Sequence, residues 1–358
     1  GMGHSIMNLH INRGDVLSPG VHNYIGLISY NMGTLRNIRM VNAQVWGDFM
    51  TGSLCGLNNG MIDNCTATGN VEGNQYTGSL TGGNYRKIED SKAVTEIRSG
   101  DFSGGIAGAN FGEITNCGAV SQMETGSNSG GICGESGVGE VVNCTFSGEI
   151  EGKSKCGGIL GNARSKGTII TVKSCKVENS SITGDNMVGG IAGMTVHTKI
   201  EYCGFSGTIT GKGQSAGAVG VVGSGSSVGS VTSEGRIVCS GSRVGGIAGE
   251  LYEEGVVGNA AFTGNITGSA EVGGIVGFCL GKVSESHSVA DMESNEKVGG
   301  ICGTLHGSLE NSTSHGDITG VSDVGGCVGY CNGEVIFCTA HSNISGDNKV
   351  GGFSGTTS

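Results

Sequence analysis

The sequence predicts an all-β protein that folds as one parallel β-helix, a right-handed solenoid with three short strands in each coil. Two observations carry this prediction. Glycine supplies 73 of the 358 residues and proline only one, which fits neither collagen nor a typical disordered tail. In addition, a hexapeptide seen as VGGIAG at residues 188–193 and 244–249 returns in close variants along the chain. A fixed period of this kind indicates stacked structural repeats.

The spacing of the hexapeptide defines the coils. Successive copies start 26 to 28 residues apart in most of the chain, which predicts twelve complete coils over residues 25–349. A partial N-terminal coil is expected over residues 1–24 and the start of a truncated coil over 350–358, all within a single domain spanning 1–358. Because both ends fall inside a coil, we expect the chain to belong to a longer protein. The copies begin at Ile25, Thr51, Thr77, Ser103, Ser129, Cys156, Val188, Ala216, Val244, Val272, Val298, Val324 and Val350.

Each coil contains three segments in a fixed order. The coil that starts at Thr51 shows them as the hexapeptide with Leu54, then GMIDNC with Ile62, then TGNVEG with Val71. Short segments that alternate apolar and polar residues between turn-forming residues are typical of strands, and interior glycine disfavours helix. We therefore expect the three aliphatic positions, the cysteine position and the residue two after it to point inward, where neighbouring coils complete the core.

Glycine-rich loops can also bind phosphate, but the context here argues against that function. A phosphate loop occurs once, between a strand and a helix, and carries a lysine next to serine or threonine. No such G-K-[ST] sequence occurs, and no helix is predicted after any copy. The glycines are therefore interpreted as structural, at corners that need positive φ or have no room for a Cβ atom.

Charge and hydropathy limit the partners. The formal net charge is −11 and no cluster of Lys and Arg is present, so a nucleic-acid partner is not expected. No apolar stretch reaches the roughly 18 to 20 residues of a membrane-spanning helix, and no membrane insertion is expected within this chain. We also recognise no signal peptide at its start.

The repeat resembles the GLUG motif family. The shared pattern is G-G-I-x-G, then G-x-I-x-N-C/S, then G-x-I/V-x-G, and it covers most of the chain. This family occurs in large bacterial surface proteins and in non-catalytic regions of some immunoglobulin A-cleaving metallopeptidases. The resemblance implies an extracellular or cell-surface repeat region, often adhesin-like, without naming a ligand. Departures from the pattern are the degraded hexapeptides at 25–30 and 216–221 and an insertion at 162–172.

The cysteines are expected to be mostly unpaired. Six of the fourteen occupy one inward position, which other coils fill with Ala, Val, Ile or Ser. Such a position is a small buried slot, and free cysteine behaves there as a small hydrophobe. An occasional disulfide between coils stays open as an alternative. The six are Cys65, Cys117, Cys144, Cys175, Cys203 and Cys338.

No catalytic, metal or cofactor site is predicted. Glu113, Glu140 and Glu334 share one outward position that other coils fill with unrelated residues, so solvated surface charge is the simpler interpretation. The histidines show no ligand-like spacing, and H-E-x-x-H is absent. Asn residues that precede the cysteine position, such as Asn64 and Asn143, are expected to stack at a left-handed corner and to bond turn backbone.

Six aromatic residues follow the hexapeptide and are the candidate ligand-binding residues. If these loops align, the rings form a stripe able to stack on sugars or on a partner protein. Covering an edge of the core is the competing interpretation, and Trp46 is a separate candidate. The six are Tyr30, Tyr85, Phe111, Tyr252, Phe278 and Tyr330.

Two functions therefore remain open from the sequence. The favoured one is a non-enzymatic surface module, an adhesin-like rod or spacer that binds a glycan or protein of a host or bacterial surface. The alternative is a carbohydrate-active β-helix enzyme, a polysaccharide lyase or hydrolase with the insertion at 162–172 as a wall of its site. Carboxylates from three adjacent coils that converge within about 5 to 10 Å would favour the enzyme.

Overall fold

A computed structural model describes residues 5–13 and 24–358, and all regular structure in these ranges is β-strand. The strands form three parallel sheets, and each complete coil contributes to every sheet before the chain rises to the next coil. The molecule is thus a parallel β-solenoid of the right-handed type, which confirms the predicted fold class. Of the partial coil expected over residues 1–24, residues 1–4 and 14–23 lie outside the described ranges.

The three sheets are named A, B and C, and a coil visits them in the order B, C, A. Sheet A consists of Ser5–Met7, His10–Asn12, Arg39–Trp46, Phe49–Thr51, Thr66–Gly78, Lys92–Gly104, Gly118–Glu124, Ser129–Gly130, Thr145–Glu151, Ser154–Gly157, Lys176–Thr183, Asn186–Gly189, Gly204–Gly211, Ser215–Ala216, Thr232–Cys239, Ser242–Gly245, Ala261–Thr267, Ala270–Gly273, His287–Gly299, Thr313–Gly325 and Thr339–Gly351. Sheet B consists of Ile28–Asn31, Cys55–Asn58, Thr81–Asn84, Ala107–Asn110, Cys133–Ser136, Leu160–Arg164, Ala192–Val196, Val219–Val222, Ala248–Leu251, Val276–Cys279, Cys302–Leu305, Val328–Cys331 and Ser354–Thr357. Sheet C consists of Thr34–Arg36, Met61–Asp63, Lys87–Glu89, Glu113–Thr115, Glu140–Val142, Ile170–Lys173, Thr198–Glu201, Ser227–Gly229, Val256–Gly258, Lys282–Ser284, Ser308–Glu310 and Glu334–Ile336.

Equivalent residues of successive coils pair in register and form continuous ladders. Ile88, for example, pairs with Ile62 on one side and Ile114 on the other, and all three are fully buried. The five predicted inward positions are buried through most of the rod, which confirms the inside-outside assignment. Phe353, in the last hexapeptide, is exposed.

The hexapeptide is a corner, and the prediction that it forms one strand is wrong. Its first two residues end a strand of sheet A, and the sheet B strand starts only at its fifth residue, as at Cys133. The sheet B arm of one corner touches the sheet A arm of the preceding coil through their backbones. A Cβ added to Gly134 would lie 2.5 Å from the amide nitrogen of Ser103 and 2.6 Å from the carbonyl carbon of Phe102. Glycine is therefore needed where the arms meet.

The residue just before the hexapeptide adopts a left-handed conformation in nearly every coil. In eleven coils it has φ between 49° and 64° although it is not glycine, which is an uncommon backbone region for such residues. The side chains of this left-handed column lie over the outer face of sheet B. The Met50 sulfur, for example, is 3.4 Å from the position that a Cβ atom on Gly83 would occupy. Its members are Met50, Tyr76, Phe102, Asn128, Lys155, Met187, Arg243, Glu271, Lys297, Asp323 and Lys349.

Two asparagine ladders stabilise other corners. The asparagines before the cysteine position are left-handed, as expected, but they bond mainly to one another: the Asn64 amide donates to Asn37 Oδ1 at 2.7 Å. A second, buried ladder at the end of sheet B was not predicted. There the Asn58 amide donates to Asn84 Oδ1 at 2.8 Å, and the Asn84 amide donates to Asn110 at the same distance.

The fourteen cysteines are unpaired, and all except Cys338 are buried. Cys117, Cys144, Cys175 and Cys203 occupy one ladder position in four consecutive coils. Burial disfavours the thiolate, and it raises the pKa of Cys55 and of Cys156 to about 12. The thiols are therefore part of the apolar core.

Alkaline pH is expected to destabilise the rod because of these thiols. A thiol whose pKa is raised by folding stabilises the protein fully below the unfolded pKa near 9, and this contribution is lost as the pH rises towards 12. Thermal unfolding measured between pH 8 and pH 11 should show a falling midpoint. Cys156→Val, which introduces the residue that Val188 provides in the next coil, should fall less steeply than the wild type. Parallel curves for the two proteins would contradict this account.

Candidate functional site

The six predicted aromatic residues lie along sheet B, but at two different positions of the coil. Tyr30, Phe278 and Tyr330 occupy the third position of a sheet B strand and pair in register with other coils there. Tyr85, Phe111 and Tyr252 come one residue after the strand. They do not form one continuous stripe, because the rings gather near the two ends of the rod.

One group of three lies on the N-terminal coils. The rings of Tyr85 and Phe111 stack at 5.0 Å between centroids, and Tyr24 meets Tyr30 edge to face at 6.3 Å. Tyr85 is 42% exposed and Tyr30 is 40% exposed. These two rings are therefore partly exposed to solvent.

A second aromatic stack on the same coils was not predicted from the sequence. Tyr76 and Phe102 belong to the left-handed column and stack at 4.6 Å with an interplanar angle of 9°. Phe49 adds an edge contact to Tyr76 at 5.2 Å. The signal was available, since Tyr76 and Phe102 each directly precede a hexapeptide, but nothing in the sequence places that position over sheet B.

Glu135 adds a carboxylate beside these two stacks. It occupies the third position of the sheet B strand that follows Ala109 in register. Partial burial raises the pKa of Glu135, and Lys155 opposes that effect. Partial burial also raises the pKa of Tyr76, with further contributions from Glu135 and Tyr85. We call Tyr76, Tyr85, Phe102 and Phe111 the aromatic platform, with Glu135 next to it.

The C-terminal group of rings is accompanied by cations. The Phe278 ring lies 5.6 Å from His306, which lies 6.2 Å from Tyr330. Arg243 stands 4.7 Å above Phe278, and Lys297 stands 5.6 Å above Tyr330. This end of sheet B is covered by charged side chains of the left-handed column, so its rings are less available for stacking on a ligand.

The structure also places the outward glutamates and the insertion at 162–172, on which the enzyme alternative depends. Register brings Glu113 next to Glu140, and Glu124 next to Glu151, on adjacent coils. Within the insertion, residues 166–169 form an exposed turn at the corner between sheets B and C, where the Thr168 amide donates to Ser165 Oγ at 3.1 Å. Within the described residues, no group of three or more His, Cys, Asp or Glu side chains is arranged to hold a metal ion.

The fold and the stacked outer face define a repeat protein of the parallel β-solenoid class. Residues 47–72, which make up about one coil, match the family described as the GLUG motif, so the resemblance seen in the repeat is confirmed. A stretch of 74 residues is 39% identical to Halomucin of Haloquadratum walsbyi, which covers 21% of this chain and 1% of Halomucin. The chain thus spans only a small fraction of that relative. No solved structure gives a significant match.

These two matches fit a repeat protein. The described residues contain no helix that could span a membrane.

Proposed function

We propose that this chain is a non-enzymatic module of an extracellular or cell-surface protein, an adhesin-like rod that binds a surface glycan or protein through the aromatic platform. The observation that carries the proposal is the pair of aromatic stacks, Tyr76 with Phe102 and Tyr85 with Phe111, on the outer face of sheet B. Most outward positions elsewhere on the rod are polar, so a partly exposed aromatic patch is a candidate interaction site.

The chemistry of the platform suits a carbohydrate. Aromatic faces stack on the apolar C–H surface of a pyranose ring, and a nearby carboxylate accepts hydrogen bonds from its hydroxyl groups. Glu135 is the carboxylate that would accept these hydrogen bonds, because it is close enough to Tyr76 and Tyr85 to interact with them electrostatically. The parallel ladders hold the rings in place without a closing loop, so the platform is formed before the ligand arrives.

Glycan-array binding followed by affinity measurement tests the proposal. The double variant Tyr85→Ala/Phe111→Ala is expected to lose about tenfold in affinity, since each ring contact contributes about 0.5 to 1.5 kcal/mol beyond its buried area. Tyr252→Ala is the matched control, because Tyr252 has a similar exposure but lies outside the platform. It should bind like the wild type.

Three results would contradict the proposal. If no glycan or surface-protein ligand is found, the proposed binding function is wrong. If the double variant binds with unchanged affinity, the aromatic platform is not the binding site. Shortening of a polysaccharide during incubation, measured as new reducing ends, would favour the carbohydrate-active enzyme. A carboxylate variant such as Glu124→Gln would then identify the participating group.

A further inference from the structure

An unusual column of side chains lies on the outer face of sheet A at its N-terminal end. Strand register aligns Asn12, Trp46, Glu72, Arg98 and Glu124 at one position in five consecutive coils. These residues differ in kind, whereas the same position in the middle of the rod carries short side chains. There it is filled by Thr183, Thr210, Val238 and Thr267.

A cavity of about 590 Å³ lies beside this column. It is lined by the column and by His10, whose ring centroid is 4.8 Å from that of Trp46. Gly47, Gly73 and Gly100 line the cavity next to the column and have no side chains to fill it. The volume falls within the usual range of small-ligand sites, roughly 300 to 1,000 Å³.

The polar side chains of the cavity form a hydrogen bond and an ion pair with one another. Trp46 donates its indole N–H to Glu72 Oε2 at 2.8 Å, which fixes the carboxylate beside the indole ring. Arg98 pairs with Glu124, with 3.4 Å between Nε and Oε2. One partly exposed indole therefore lies among a carboxylate acceptor, a guanidinium donor and a second carboxylate.

We propose that this cavity is a carbohydrate subsite that takes a neutral pyranose residue. The indole face provides stacking surface, Glu72 accepts hydrogen bonds from hydroxyl groups, and Arg98 donates to ring or hydroxyl oxygens. Two carboxylates and one guanidinium line the cavity, so it does not favour an anionic ligand. The subsite lies on sheet A, separate from the aromatic platform on sheet B, and does not depend on the function proposed for the platform.

Trp46 gives this subsite its own optical signal because it is the single tryptophan of the chain. Intrinsic fluorescence is recorded while cellotriose, chitotriose or maltotriose is added to the full chain. At least one of the three should give a saturable change with a dissociation constant of about 1 mM or tighter. Glu72→Ala and Arg98→Ala should each weaken that binding by about tenfold.

The control variants separate this subsite from the platform. Tyr85→Ala/Phe111→Ala and the surface variant Glu140→Ala should keep the wild-type fluorescence titration. Lack of a saturable change with all three sugars would overturn the proposal, as would an unchanged titration in both Glu72→Ala and Arg98→Ala. If only the platform variant alters the titration, the signal comes from sheet B and the subsite on sheet A is refuted.

Discussion

Replacing Ile247 with aspartate is expected to lower the free energy of unfolding by about 4 kcal/mol or more, the range of severe core substitutions. Ile247 is fully buried in the hexapeptide ladder, between Ala218 and Ile275 of the neighbouring coils. Register shows that the copy predicted to begin at Ala216 begins one residue earlier, at Ser215. A carboxylate at this point has no cation to pair with and would be removed from water, which is strongly unfavourable. The neighbouring coils on both sides are also destabilised, because each coil depends on its neighbours for its core.

Urea unfolding followed by circular dichroism measures this effect, and Glu140→Ala is the control. Glu140 is exposed at the start of a sheet C strand, so its removal should change the free energy of unfolding by less than about 0.5 kcal/mol. Similar losses in the two variants would show that the inside-outside assignment of the coil is wrong.

The second large effect is expected from Gly134→Ala. The added methyl group would lie 2.5 to 2.7 Å from backbone atoms of Ser103, Phe102 and Asn128, closer than real Cβ atoms approach. Backbone cannot move aside as a flexible side chain can, so the corner must open. We expect a loss of about 3 kcal/mol, at the upper end of overpacking effects.

Gly229→Ala is the matched control for this substitution. Gly229 lies on the same rod, at the end of a sheet C strand, and the nearest atom to an added Cβ is Gly258 O at 3.8 Å. Its unfolding midpoint in urea should stay close to that of the wild type. If Gly134→Ala is equally silent, the arms of neighbouring corners do not pack through their backbones.

The core of the rod was predictable because two simple regularities agree. Alternation within each segment assigns the inward side chains, and the repeat spacing aligns them from coil to coil. Leu54, Ile62 and Val71 are accordingly all buried. Cysteine could be assigned to the same core because other coils replace it with small or apolar residues, which a disulfide framework would not tolerate.

The corner geometry was less predictable. The hexapeptide alternates like a strand, but glycine at its second and sixth positions allows the chain to fold back on itself, and alternation alone cannot show this. Left-handed residues such as Tyr76 and Arg243 gave even less signal, because they are neither glycine nor asparagine. Their conformation is imposed by the stacked coils, which outweigh the local preference of each residue.

Because the corner geometry was not predictable, some residues of the candidate site were not predicted either. Tyr85 and Phe111 were found because they follow the hexapeptide, whereas Tyr76 and Phe102 face them from the other arm of the corner. Trp46 was noted as a separate candidate, but its alignment with Glu72 and Arg98 depends on strand register across a long strand of sheet A. A shift of one residue would have sent these side chains to opposite faces.

Near-identical coils could in principle stack out of order, since any one would fit under any other. The left-handed column opposes that error in the C-terminal half, where its charges alternate in sign from coil to coil and form ion pairs such as Lys297 with Glu271 and Lys349 with Asp323. Skipping a coil would set cation against cation and anion against anion. Alternate coils therefore differ in the charge of this residue, and the nearly identical coils stack in a single order. The members of the alternating run are Arg243, Glu271, Lys297, Asp323 and Lys349.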